Sequence, residues 1–147
     1  MPTFKHFVFA AIAAVFLLIS CGQQDNELID ENLPLSDQID LLIENDRYQT
    51  ALDLLEGKDR EDPDVRLQLE KTHLNYAFHS MNTFDETEMR TRMNNALVQF
   101  TEVLKLNPQN GVATEQIEQI MAIYETIPDR QPDPEVLEGL REVGFDY

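Results

Sequence analysis

From Ser36 to the end of the chain, apolar side chains recur every three or four residues. Nowhere do they alternate long enough to build a strand. That period predicts an all-α fold of antiparallel helices, each burying one stripe against its neighbours. Caps and breakers divide the run into six. Ser36 is placed to cap a first helix over residues 37–45, carrying Ile39, Leu42 and Ile43. After a turn at Asn45, Asp46 and Arg47, a second helix over 48–57 carries Tyr48, Ala51, Leu52 and Leu55 and stops at Gly57. Asp62 followed by Pro63 opens a third, running to about Met81 and apolar on two sides: Val65, Leu69, His73 and Tyr76 on one, Leu67, Leu74, Phe78 and Met81 on the other. A capping box of Asp85 and Glu88 predicts a fourth helix reaching Leu106. A fifth follows over 112–126, and Asp133 with Pro134 starts a short sixth that ends near Val143 and Gly144.

Two of these helices share a spacing. Ala51 stands twelve residues before Pro63, and Ala96 stands twelve before Pro108. In each case a bulky residue follows the alanine by four, Leu55 in one and Phe100 in the other. This pattern resembles the second helix and closing turn of a tetratricopeptide repeat, and Tyr76 sits where that family often has tyrosine. The resemblance covers about residues 33–127, two units and the opening helix of a third. It implies helix hairpins stacked as a short solenoid over residues 33–147, with the sixth helix as a C-terminal cap. The two alanines are 45 residues apart, against the 34 of the usual repeat. Eleven extra residues are therefore expected, extending the turn over residues 82–92. The family's tryptophan and glycine are absent, with Leu69 and His73 in those places of the second unit. A non-repeat helical bundle would share the alanine and leucine spacing.

The first twenty residues read as an address rather than as structure. Lys5 gives a short positive segment, and no acid precedes Asp25. Residues 7–19 are uninterruptedly apolar, too few for the roughly 20 that span a bilayer. Leu18, Ile19, Ser20 and Cys21 then resemble the lipobox of bacterial lipoproteins, with a small residue before the cut and a thiol free to carry diacylglycerol. The resemblance implies that Cys21, the chain's only cysteine, becomes the acylated first residue of a palmitate-bearing lipoprotein. Ordinary signal cleavage and an uncleaved anchor are the competing readings. Residues 21–32 are polar, acidic and without period, as expected of a tether. Gly22 is not the aspartate that marks inner-membrane retention in enteric bacteria, which favours the outer membrane, facing the periplasm.

Charge narrows the partners. With 28 acidic residues against 11 basic, the formal net charge is −17, and such a chain repels a phosphate backbone. No nucleic-acid partner is expected, and no Gly-rich loop offers a phosphate cradle. His73 and His79 lie six apart on one helix, about 240° around its axis, so they cannot act as an i, i+4 ligand pair. His73 reads as a packed histidine and His79 as a surface one. The acids at 59, 61, 62 and 64 lack the glycine and terminal glutamate of a calcium loop. No serine elbow is present. Neither enzymatic activity, nor a metal or other cofactor, nor a small-molecule substrate is expected.

A binding module remains. Tetratricopeptide proteins hold ligands on the wall lined by their first helices. The resemblance places Ser36, Asp40 and Ile43, then Glu70, Leu74 and Phe78, then Glu115, Gln119 and Ile123 on that wall. The family's carboxylate-clamping members have lysine and asparagine where this chain has Glu70 and Leu74, so that mode is not expected. An acidic wall with apolar islands suits a basic or amphipathic peptide. The expectation is a lipid-anchored adaptor for a protein partner, with an obligate structural subunit of an outer-membrane assembly or secretion complex as the alternative. Replacing Cys21 with serine removes the thiol to be acylated. Labelling of the protein with a fatty-acid analogue should vanish in Cys21→Ser, and persistent labelling would show that the lipobox is misread.

Overall fold

The computed structural model describes residues 29–83 and 87–147. The signal segment, Cys21, most of the tether and Asp85 of the expected capping box lie outside them. Six α-helices and no strand occur among the described residues: α1 Leu35–Glu44, α2 Tyr48–Leu55, α3 Pro63–Asn82, α4 Met89–Leu106, α5 Gly111–Thr126 and α6 Pro134–Glu142. None is long and apolar enough to cross a membrane.

The helix starts show which signals act. Asp62 caps α3, its carboxylate accepting from the Asp64 amide at 2.8 Å, and Pro63 stands first in the helix, where a missing N–H costs nothing. Ser36 is not a cap. Pro34 holds the N-cap position of α1, and the Ser36 hydroxyl donates to Asp37 instead. The two prolines of the sequence spacing also differ in place. Pro108 stands in the turn before α5, and Asn110 caps that helix by accepting from the Ala113 amide at 3.0 Å. Asp133 occupies the N-cap position of α6 without a side-chain capping bond. Its carboxylate turns to Arg90 (2.7 Å) and Asn94 (2.6 Å) on α4, a charged grip stronger than a neutral cap bond. Gly57 and Gly144, at φ +76° and +100°, take the left-handed conformation after α2 and α6.

The eleven extra residues do not form a long turn. The connection from α3 to α4 covers only residues 83–88, and the added length goes into helices of 20 and 18 residues, beside 10 and 8 in α1 and α2. A long α3 can therefore serve two cores. Its N-terminal half gives Val65 and Leu69 to a cluster with Ile39, Leu42, Ala51 and Leu55 from α1 and α2. Its C-terminal half gives Ala77 to a larger cluster with Ala96, Leu97, Phe100, Val103 and Leu104 of α4, Ala113, Ile117, Ile120 and Met121 of α5, and Val136 and Leu140 of α6. Thus α3 packs on α1, α2 and α4, while α4 also carries α5 and α6. The second apolar side of α3 is uneven: Leu74, Phe78 and Met81 are half-buried, but Leu67 is 58% exposed.

Ala51 and Ala96 are both fully buried. Neither has room for three more carbons without displacing a neighbour, a cost of about 1–3 kcal/mol. Ala96→Leu and Ala51→Leu should each lower the melting temperature clearly. The exposed controls Gln49→Leu and Val98→Leu should stay within about 0.5 kcal/mol of the parent. Equal losses in both pairs, measured by thermal denaturation, would show that neither alanine sits at a tight crossing.

Candidate functional site

A polar seam runs between α3 and α4. His73 Nδ1 donates to Gln99 Oε1 at 2.7 Å, Gln99 Nε2 to Asn95 Oδ1 at 3.2 Å, and Asn95 Nδ2 to Ser80 Oγ at 2.7 Å. The Ser80 hydroxyl then donates to the Tyr76 carbonyl at 2.9 Å. His73, Gln99 and Ser80 are buried, and each bond keeps a buried polar group from the penalty of standing alone. Burial holds the His73 imidazole below its ordinary pKa, opposed by the Gln99 hydrogen bond and the Glu102 charge and aided by Arg60.

The seam opens into a polar cleft of about 580 Å³ lined by the start of α2, the end of α3 and the first turns of α4. Tyr48 and Tyr76 stack within it, ring centres 5.1 Å apart and planes 5° from parallel. The His79 ring lies tilted against Tyr48 at 5.1 Å. Asp46 joins the two: it accepts from the Tyr48 hydroxyl at 3.0 Å and lies 3.2 Å from His79 Nδ1. Asp46 reaches both because its backbone takes φ +58° in the α1–α2 turn, a conformation that aspartate tolerates. Burial, then the Asp46 hydrogen bond and charge, push the Tyr48 hydroxyl up to about 12, so it remains a donor. His79 is half-buried here rather than a surface residue.

A second hollow is almost entirely apolar. Met89 and Met93 from the start of α4 face Ile120, Ile123, Tyr124 and Ile127 from the end of α5 across about 340 Å³, with Arg90 and Arg130 in the lining. Ile123 is 54% exposed and Met89 39%. Arg90 is held by Asp133 and the Gln131 carbonyl. Arg130 has no carboxylate partner among the described residues.

The wall residues inferred from sequence fall into three groups. Asp40 pairs with Lys71, and Ile43 is half-buried against the N-terminal core. Glu70 accepts from the side-chain amides of Asn107 (2.9 Å) and Asn110 (2.8 Å), tying α3 to the turn that starts α5. Leu74 and Phe78 pack on the C-terminal core, Phe78 edge-on to Phe100 at 5.5 Å. Glu115, Gln119 and Ile123 remain exposed along α5, Gln119 donating to Glu115 at 3.1 Å. Only Ile123 of the nine lines the apolar hollow. Met89 and Met93 stand four apart, a spacing that any core-facing helical stripe shares, so the sequence does not single them out, and Arg90 and Arg130 carry no signal of their own. Among the described residues no group of three or more His, Cys, Asp or Glu is placed to hold a metal ion. No protein-family model matches the chain, and no curated protein or solved structure matches it.

The seam makes a pH prediction. Burial lowers the His73 pKa in the fold, whereas in the unfolded chain the imidazole titrates near 6.5. Its contribution is fully present above pH 6.5 and is lost as pH falls through and below that value, by at most about 1.4 kcal/mol per pH unit. Melting curves between pH 7.5 and 5.5 should show the parent losing more stability than His73→Gln. Parallel pH profiles for the two would remove His73 as the cause.

Proposed function

We propose that this chain is a lipid-anchored envelope adaptor, carried on the outer membrane by an acylated Cys21, that docks a partner's peptide segment on its helical domain. In this reading the helices form a short tetratricopeptide-like stack. The hairpins α1–α2 and α3–α4 are two units, α5 opens a third and α6 caps the end. The sequential packing of α3 on α1 and α2, and of α5 on α4, supports that arrangement. The acidic segment after the cysteine suits a tether that anionic lipid repels, holding the domain off the surface.

The observation that carries the reading is the apolar hollow at the α4–α5 end. A chain that is 27% charged buries its large apolar residues where it can. Here Met89 and Ile123 stay exposed around a concave floor of Met93, Ile120, Tyr124 and Ile127. Methionine adapts to irregular partners and recurs on surfaces that accept peptides. An adaptor needs such a surface.

A photo-crosslinking amino acid placed at Ile123 in the full chain, expressed in cells, tests this. Ile123 should give discrete adducts, whereas the same group at exposed Gln109 should give none of them, and membrane recovery of the adducts should require Cys21. Identical adduct patterns from both positions would refute an adaptor surface at α5.

A further inference from the structure

The hollow between α4 and α5 also specifies the charge of what fills it. We infer that it receives an amphipathic helix from a partner protein whose apolar stripe ends in acidic residues set against Arg130. This rests on the adaptor reading and adds the partner's chemistry to it. The expectation from sequence was a basic or amphipathic peptide, drawn by an acidic wall. Of that wall, Asp40 and Glu70 are occupied within the fold, by Lys71 and by Asn107 with Asn110. The exposed apolar surface lies instead beside two arginines.

Shape favours a helix. Met89 and Met93 are four residues apart on α4, and Ile120, Ile123 and Ile127 follow at steps of three and four on α5, so the floor is a trough between two antiparallel helices. Its 340 Å³ takes a few large side chains of one helical stripe. Charge sets the direction. Arg90 is already neutralised by Asp133, which leaves Arg130 as the guanidinium beside the trough that makes no ion pair among the described residues. A second copy docked trough to trough is a poor occupant, because the patch it would present carries Arg90 and Arg130 and no acid to meet Arg130.

The probes are two synthetic helical peptides with the same leucine stripe at i, i+4 and i+7, one ending in two glutamates and the other in two lysines. Their binding to the mature lipoprotein in zwitterionic nanodiscs is read by fluorescence anisotropy, with empty nanodiscs as the blank. The glutamate peptide should bind roughly three- to tenfold more tightly, and the difference should shrink as salt is raised. Arg130→Glu should reverse the preference. Ile123→Glu, at an exposed position that leaves the fold intact by circular dichroism, should abolish binding of both. Equal affinity for the two peptides, or an unchanged preference in Arg130→Glu, overturns the inference. So does a protein that sediments as a dimer and is made monomeric by Ile123→Glu, since the trough is then filled by a second copy. If the peptides are not distinguished while Ile123 still gives its discrete adducts in cells, the adaptor reading stands and the acidic partner does not.

Discussion

The seam between α3 and α4 joins the two cores of this domain, and the other helices take their positions from it. It is held by two kinds of contact at once. Ala77, Ala96 and Phe100 bring the helices close through apolar packing, with Phe78 edge-on to Phe100. Beside them His73, Gln99, Asn95 and Ser80 form one connected line of hydrogen bonds. Apolar packing alone would tolerate sliding by a turn. A polar line satisfied in one register does not, because a shift would leave several buried groups without partners at about 1–3 kcal/mol each.

Polar side chains then carry that order outward. Glu70 reaches from α3 to Asn107 and Asn110, placing the start of α5. Asp133 reaches back to Arg90 and Asn94, placing the start of α6. Both carboxylates act across about forty residues of chain, where each unit of loop closure is costly and a charge-assisted bond is worth more than a neutral one. One consequence reaches the apolar hollow: Asp133 neutralises Arg90, while Arg130 makes no ion pair among the described residues.

Much of the fold was legible from residue spacing. The helical period, Asp62 with Pro63, and the left-handed glycines after α2 and α6 placed six helices close to their observed bounds. These are local signals, and local signals act through bonds within a few residues. The misreadings came where a side chain had a distant alternative. Asp133 looked like a cap and is a tertiary clasp. Asn95, which no local pattern singles out, is a link in the polar seam. His79 looked exposed and lies against Tyr48 and Asp46.

Sequence alone determined the all-helical class, the six-helix order and the acidic character, because backbone period, caps and charge count need no third dimension. It also carried the apolar run and the cysteine on which the anchor proposal rests. Which acids face solvent and which apolar residues stay open was decided only by the tertiary structure. Glu70 and Glu115 are indistinguishable as residues, yet one is clamped by two asparagines and the other is exposed. Met93 and Leu97 belong to one helical stripe, yet Leu97 is fully buried while Met93 floors a hollow. The physical reason is that a helix fixes the direction of a side chain, whereas burial depends on which neighbouring helix arrives to cover it.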